Sequence, residues 1–227
     1  MQRATPVVLN LIIINVLMFA AQNLVSGFDI TEWGALHYFL SNEFKPHQLI
    51  THMFLHGGMS HLFFNMFSLF MFGTMLENYI GSKRFLVGYM ICGLGAGLLT
   101  QLTIPYSADM FAKSSEGLSA ASKYGISIAE VVMAYKNEYS MIGASGAIMG
   151  VMAAFAYLFP NTEMFIMFIP IPVKAKYVIP VFVLIDLFGG INPAPGDNIG
   201  HFAHLGGALV GFLLVYFWNK TNRKTFY

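Results

Sequence analysis

Six long apolar segments constrain this sequence more than any other feature. They lie at about residues 5–25, 60–80, 84–105, 143–160, 174–191 and 200–218. Segments of about 20 residues match helices that cross the ~30 Å hydrocarbon core of a bilayer. Only 10% of the 227 residues are charged, whereas soluble domains have about a quarter. The sequence therefore predicts an all-α integral membrane protein, a six-span transmembrane helix bundle that forms a single domain over residues 1–227.

The distribution of Lys and Arg predicts the orientation of this bundle. With a cytoplasmic N-terminus, the inner side holds Arg3, Lys83, Arg84, Lys174, Lys176, Lys220, Arg223 and Lys224. The outer side holds Lys45, Lys113, Lys123 and Lys136. Cytoplasmic loops normally carry the basic excess, so both termini are predicted to be cytoplasmic. We expect a multi-pass protein of a prokaryotic plasma (inner) membrane whose first span is not removed as a signal peptide.

Charge and cysteine content exclude several classes of protein. The net charge is +1 and no run of basic residues forms a patch that would follow a phosphate backbone, so nucleic-acid binding is not expected. Cys92 is the single cysteine of the sequence. One thiol allows neither an intrachain disulfide framework nor a multi-thiolate metal site.

Two connections on the predicted outer side are long. The first, at about 26–60, contains Trp33 and several histidines and is expected to lie in the membrane interface. The second, at about 106–140, contains Ile128, Val131 and Tyr135 at helical spacing. This spacing predicts a short amphipathic helix that lies on the membrane.

Ser145 stands where the second connection gives way to the fourth apolar segment, between Gly143 and Gly146. A helix N-terminus carries partial positive charge and free backbone N–H groups, which can stabilise an oxyanion. The glycines leave room for a polypeptide backbone to approach the hydroxyl. Serine between small residues is also common in membrane helices as a packing or capping residue. Alone, the motif indicates a nucleophile only weakly.

His204 is the candidate base for such a serine, because it lies near the same end of the bundle. Ionisable residues inside a membrane are costly and usually functional. His204, Gly207 and Gly211 share one helical face, so the face that packs closest against a neighbour also carries the imidazole. If that neighbour is the Gly146–Gly150 face of the fourth span, Ser145 and His204 come within hydrogen-bond distance. The alternative is a histidine at a helix end in the interface, which is more plausible for His201 than for His204.

His61 and Asn65 open the second span and lie four residues apart, so they project from one helical face. Two donors there, together with the Ser145 N–H, could hold the negative oxygen of a tetrahedral intermediate. Each good donor stabilises the transition state by roughly 3 kcal/mol. The alternative is that the two side chains bond each other or a loop carbonyl.

Three motifs that occur in order on three separate spans resemble the rhomboid family of intramembrane proteases. They are His-x-x-x-Asn at His61, Gly-x-Ser-Gly at Gly143, and Ala-His-x-x-Gly-x-x-x-Gly at Ala203. The spacing Gly-x-x-x-Glu-x-x-x-Gly, which begins at Gly73, also matches the family pattern. The resemblance runs from about His47 to the end of the sixth span and leaves the connection 106–140 unmatched.

The resemblance implies a bundle of rhomboid type that hydrolyses peptide bonds in or near transmembrane segments of other membrane proteins. It implies that Ser145 is the nucleophile and His204 the base, with His61, Asn65 and the Ser145 N–H as oxyanion donors. Positions of close packing would be Gly143, Gly146, Gly207 and Gly211. The implied partners are transmembrane protein substrates and the lipid bilayer, and the family chemistry requires no cofactor and no metal.

Two departures from the family pattern bear on the mechanism. His47-Gln48 replaces a Trp-Arg pair often found in the first loop, and Met149 replaces an aromatic residue often found four positions after the serine. The family uses a dyad, so no acid is assigned to orient His204. Asp186 of the fifth span is interpreted as structural or gate-related, since nothing in the sequence links it to His204. The polar stretch 192–200 is a candidate lid.

Three other classes of protein compete with this interpretation. A catalytically inactive rhomboid-like protein would bind transmembrane clients, but both Ser145 and His204 are retained. A metal-dependent membrane enzyme would use histidines such as His52 and His56, yet no His-Glu-x-x-His motif occurs. A transporter or channel is disfavoured by the lack of internal repeats and by the few intramembrane charges.

Overall fold

Six long helices lie close to the six apolar segments of the sequence in the computed structural model, which describes residues 4–165, 171–194, 197 and 199–221. In chain order the elements are α1 (Pro6–Leu24), α2 (Ile30–Gly34), β1 (Leu36–His37), α3 (Gln48–Thr51) followed by a 3-10 turn (His52–Phe54), α4 (Met59–Ile80), α5 (Ser82–Lys113), α6 (Ser115–Tyr124), α7 (Ile128–Glu138), β2 (Ser140–Met141), α8 (Ser145–Leu158), β3 (Glu163–Phe165), β4 (Pro172–Lys174), α9 (Ala175–Ile191) and α10 (His201–Thr221). Over these described residues the fold is mainly helical, with two small antiparallel strand pairs, β1–β2 and β3–β4. Of the basic residues used to predict orientation, Arg3, Arg223 and Lys224 lie outside the described residues.

Helix length and surface composition show that the chain is embedded in a membrane. Within the described ranges, α1, α4, α5 and α10 are long and apolar enough to cross a bilayer. Helix α8 is a shorter apolar helix of 14 residues, and α9 has 17. Large apolar side chains such as Leu17 on α1 and Phe63 on α4 are more than half exposed. A soluble protein rarely exposes so many, so these surfaces face lipid and the chain is a multi-pass membrane protein.

Helices α8 and α10 form the centre of the bundle and touch through their backbones. Nine of the 14 residues of α8 are buried, and α10 packs between α8 and α5. A Cβ added to Gly207 would overlap the carbonyl oxygen of Gly146, and one added to Gly211 would overlap that of Gly150. Only hydrogen fits at these positions, so the glycines set the distance between the two helices.

The first connection holds the segment that leads into α8. Strand β1 pairs with β2 in antiparallel register, with Leu36 opposite Met141 and His37 opposite Ser140. The backbone N–H of Gly143 donates to the carbonyl oxygen of His52 at 2.8 Å. The N-terminus of α8 is therefore positioned by a connection that is distant in the sequence.

Gln48 organises the interior of this first connection. Its Oε1 accepts from the Lys45 N–H at 3.0 Å, and its Nε2 donates to the Glu43 carbonyl at 3.0 Å. The adjacent His47 stacks on Trp33, with ring centroids 4.4 Å apart. The pair that departs from the family pattern thus makes contacts within the chain that order the loop.

Hydrogen bonds to Glu77 link the start of α1 to the turn between α4 and α5. Its carboxylate accepts from the Thr5 hydroxyl, from the Val7 and Val8 N–H groups at 3.1 and 2.9 Å, and from the Ser82 hydroxyl at 2.6 Å. The turn needs Gly81, which has a φ of +82°, a conformation that other residues rarely adopt. These contacts account for the Glu and the second Gly of the Gly-x-x-x-Glu-x-x-x-Gly spacing.

Helix α5 extends beyond its predicted end at residue 105 and continues to Lys113. Pro105 lies inside it, although proline removes a helical hydrogen bond and costs about 3 kcal/mol. Packing of the continuing part of the helix, on which Ala108 and Ala112 are fully buried, offsets this cost. The predicted short helix is α7, which packs against α5. One such contact joins the rings of Tyr135 and Phe111, whose centroids are 5.2 Å apart.

The contact between α8 and α10 generates a prediction about stability. Gly207→Val should lower the free energy of unfolding by about 1–3 kcal/mol, because the branched side chain forces the two backbones apart. Leu209→Val, at a position exposed on the same helix, should leave it nearly unchanged. The measurement is unfolding of the purified variants in mild detergent by SDS titration. Equal stabilities of the two variants would disprove the contact.

Candidate active site

Ser145 and His204 meet at one end of the bundle. Ser145 is the first residue of α8 and His204 lies in the first turn of α10. The distance between Ser145 Oγ and His204 Nε2 is 2.9 Å, within hydrogen-bond range. The two residues lie directly above the backbone contact of Gly146 with Gly207, so the spacing of the helices sets the spacing of the two reactive groups.

Asp186 contacts this pair directly, and the interpretation that nothing links it to His204 is wrong. Its Oδ1 lies 3.0 Å from His204 Nδ1 and 2.8 Å from His201 Nδ1. The other ring nitrogen of His201, Nε2, lies 3.0 Å from Oδ2 of Asp197. His201 is buried although it is the first residue of α10, so it does not face the membrane interface. Two imidazoles and two carboxylates thus form a continuous polar cluster.

Glycines in the last turn of α9 allow this cluster to form. A Cβ added to Gly189 would overlap the imidazole ring of His201, and one added to Gly190 would lie 3.4 Å from the His201 Cβ. Asp186 is one turn before these glycines and faces the same neighbour. An acid followed by two glycines near the end of a span was the signal in the sequence. Spacing alone does not give the rotation of α9 against α10, and for this reason the signal was missed.

His61 presents a ring nitrogen to the space beside Ser145. The backbone N–H of Gly57 donates to His61 Nδ1 at 3.2 Å, so the ring proton of a neutral His61 is on Nε2. A Cβ added to Gly143 would lie 3.0 Å from that Nε2 and 3.7 Å from Ser145 Oγ. Gly143 has a φ of +131°, which also favours glycine. Its missing side chain leaves a gap between the imidazole and the hydroxyl.

Asn65 borders the same cavity, but one of its donors is already used. Its Nδ2 donates to the backbone carbonyl of His61 at 3.0 Å, which belongs to the same helix and not to a loop. An amide nitrogen carries two hydrogens, so one remains for another acceptor. Met149, which replaces the family's aromatic residue, is buried at the edge of this cavity.

A cavity of about 1730 Å³ extends from Ser145 and His204 towards α5 and α7. Its lining mixes polar groups, such as Asn65 and Tyr139, with apolar ones, such as Met152 and Ile104. Asn192, Pro193, Ala194, Asp197, Ile199 and Gly200 of the candidate lid also border it. Residues 195, 196 and 198 of that stretch lie outside the described residues.

The remaining histidines of the first connection do not gather into a ligand set. Across the ranges that the structure describes, no three His, Cys, Asp or Glu side chains converge as a group that could hold a metal ion. His52 Nδ1 instead contacts the Gln48 carbonyl oxygen at 2.7 Å. Burial lowers the pKa of His52 to about 4, and burial together with the nearby His61 lowers the pKa of His56 to about 4.

The fold and the site together define a multi-pass membrane protein with a serine–histidine pair at one end of its central helices. The chain belongs to the rhomboid family, since the Rhomboid domain matches residues 43–220. Helix α1 lies before this match, and the match includes both Ser145 and His204.

Curated relatives agree with this assignment. The putative rhomboid protease YdcA of Bacillus subtilis is 30% identical over 74% of this chain and 64% of its own length. The rhomboid protease GluP of Bacillus subtilis is 28% identical over 88% of this chain, and the mitochondrial RHOMBOID-like protein 6 of Arabidopsis thaliana is 29% identical over 74%. The chain spans only 32% and 42% of the lengths of these last two relatives.

The buried His52 generates a prediction about pH. The unfolded chain binds a proton at this residue below about pH 6.5, whereas the folded chain does so only near pH 4, so stability is lost as pH falls between these values. His52→Gln keeps a donor for the Gln48 carbonyl but does not titrate. As the pH is lowered from about 6.5 to about 4, the free energy of unfolding of this variant should therefore fall less steeply than that of the unaltered chain. The two slopes should differ by about 1.4 kcal/mol per pH unit. Identical slopes for both proteins in mild detergent would contradict the proposed linkage.

Proposed function

We propose that this chain is an intramembrane serine endopeptidase that cleaves transmembrane proteins with a Ser145–His204 dyad. The observation that supports it best is the 2.9 Å contact between Ser145 Oγ and His204 Nε2. A nucleophile and a base within hydrogen-bond distance are what acyl transfer requires. Family membership adds that rhomboid proteins act on transmembrane substrates within the bilayer.

The proposed reaction proceeds through an acyl-enzyme. Ser145 Oγ attacks the scissile carbonyl carbon while His204 Nε2 takes the hydroxyl proton. The C–N bond of the tetrahedral intermediate then breaks, and His204 gives the proton to the leaving amine. Water next attacks the ester carbon while His204 Nε2 takes a proton from it. The bond between that carbon and Ser145 Oγ then breaks, His204 returns the proton to Ser145 Oγ, and the carboxylic acid product leaves. No cofactor takes part in these steps.

The developing oxyanion is assigned to the gap beside Gly143. Three donors are proposed to hold it: the Nε2–H of His61, the second amide hydrogen of Asn65 and the backbone N–H of Ser145. The Ser145 N–H belongs to the first turn of α8, where N–H groups have no acceptor within their own helix and the helix dipole adds positive potential. The lack of a side chain at Gly143 allows the substrate carbonyl to reach these donors.

The long helices are proposed to cross the membrane six times, with α8 and α9 as the two short crossings inside the bundle. The excess of basic residues on one side supports cytoplasmic termini in a prokaryotic cell, with the site at the outer face of its plasma (inner) membrane. The proposed substrates are membrane proteins whose transmembrane helix unwinds near that face, because a helix hides its carbonyls from attack.

The principal alternative is a catalytically inactive family member that binds transmembrane clients, and reactivity towards a serine probe separates the two. A fluorophosphonate should modify the purified chain at Ser145 alone, and Ser145→Ala should abolish the labelling. An intact-mass measurement gives the stoichiometry. Labelling that persists in Ser145→Ala would reject the dyad, and a folded chain that does not react would favour the inactive alternative.

Asn65→Ala should slow cleavage of a transmembrane reporter polypeptide about 100-fold, the usual effect of losing one oxyanion donor. Thermal stability in detergent should change much less, because the amide contributes one hydrogen bond to its own helix. Ser68→Ala is the matched control, since Ser68 borders the same cavity one turn further along α4. Full turnover of Asn65→Ala would remove this residue from the mechanism.

A further inference from the structure

The polar cluster around Asp186 determines where its protons are. An ionised carboxylate only accepts hydrogen bonds, so each ring nitrogen that contacts one supplies a hydrogen. His201 contacts Asp186 through Nδ1 and Asp197 through Nε2, at 2.8 and 3.0 Å. With both carboxylates ionised, both nitrogens of His201 carry protons, and His201 is then an imidazolium between two carboxylates.

The same argument fixes the tautomer of His204. Its Nδ1 lies 3.0 Å from Asp186 Oδ1, so Nδ1 carries the hydrogen. In the neutral ring this leaves the Nε2 lone pair facing the Ser145 hydroxyl at 2.9 Å. This is the tautomer in which His204 can accept the serine proton. The opposite tautomer would point an N–H at Ser145 and could not act as a base.

We propose that Asp186 is a positioning residue of the catalytic dyad, which holds His204 in the base-competent tautomer and stabilises the imidazolium formed when the Ser145 proton is transferred. This inference rests on the proposed protease function and deepens it. Asp186 is nine-tenths buried, so its charge acts on His204 with little screening by water. His201 donates to the same oxygen and so fixes the direction in which the carboxylate faces.

The titratable groups around His204 come from four elements. Asp186 approaches from α9, His201 from α10 and Asp197 from the stretch before it. His61 of α4 lies close enough for its charge to interact with His204. Asp186 is the one carboxylate among these groups that touches the base, whereas Asp197 is separated from it by the His201 ring.

This difference supplies a matched pair of variants, Asp186→Asn and Asp197→Asn, which lose the same charge at different distances from the base. The readout is the rate of Ser145 modification by a fluorophosphonate between about pH 5 and pH 9, where histidine bases titrate. Asp186→Asn should slow the reaction about 100-fold. It should also move the midpoint of the acid limb down by about one pH unit, because an opposite charge beside the imidazole is lost. Asp197→Asn should leave the midpoint in place.

The outcomes separate this inference from the proposed function. A merely structural role for Asp186 would slow the reaction at every pH without moving the midpoint, and that result would overturn the inference. Equal shifts in both variants would also overturn it, because they would indicate a general field and not a direct contact. If the unaltered chain does not react with the probe, the proposed function fails. If the unaltered chain reacts and Asp186→Asn shows the same rate and the same pH midpoint, only the inference fails.

A second measurement does not depend on reactivity. Nitrogen-15 NMR of the histidine-labelled chain in micelles should show His204 protonated at Nδ1 and unprotonated at Nε2. His204→Gln identifies the signal by its loss, and Asp186→Leu, which has no acceptor, should redistribute the proton between the two nitrogens. A His204 protonated at Nε2 in the unaltered chain would contradict the proposed role of Asp186.

Discussion

The direct backbone contact between α8 and α10 is the constraint on which the rest of the structure depends. In lipid there is no hydrophobic drive to press helices together, so close van der Waals contact has to stabilise the pair. Gly207 against Gly146 and Gly211 against Gly150 provide that contact. A hydrogen bond tolerates only a few tenths of an ångström. The glycines therefore do more than pack the bundle, because they bring the serine hydroxyl within reach of the imidazole.

A second set of contacts constrains Ser145 from the side of the first connection, opposite the contact between α8 and α10. The β1–β2 pairing and the bond from the Gly143 N–H to the His52 carbonyl hold the chain just before α8. These contacts come from a connection about a hundred residues earlier in the sequence. The nucleophile is thus fixed both by the packing of α8 against α10 and by the first connection.

The sequence predicted the six helices and the residues that meet at the site because both depend on local patterns. Apolar length locates the helices, and glycines spaced along one face of α10 indicate which side of His204 packs closely. The contacts of Asp186 and His201 were missed because they depend on the angle between α9 and α10, which no spacing within one helix encodes. The predicted end of α5 was also wrong, because the apolar segment stops at about residue 105 whereas burial of Ala108 and Ala112 stabilises the helix as far as Lys113.

The sequence also could not show how the first connection replaces the family's Trp-Arg pair. His47 and Gln48 are unlike that pair in chemistry, yet Gln48 bonds to backbone groups of its own loop. Such bonds depend on the path of the loop, which only the three-dimensional structure gives. The Asn65 amide is a similar case, since its bond to the His61 carbonyl follows from a side-chain rotamer and not from residue type.

The shortness of α8 has a consequence for the depth of Ser145 in the membrane. Its 14 residues extend about 21 Å, roughly 9 Å less than the hydrocarbon thickness of a bilayer. In the proposed six-span arrangement, a residue at its first position is therefore recessed below a membrane surface unless the opposite end is recessed instead. At such a depth, lipid offers no partner to an exposed peptide group, and each unsatisfied group costs several kcal/mol. The polar groups of the cavity lining would then supply the hydrogen bonds that water normally gives to the peptide groups of an extended chain at Ser145.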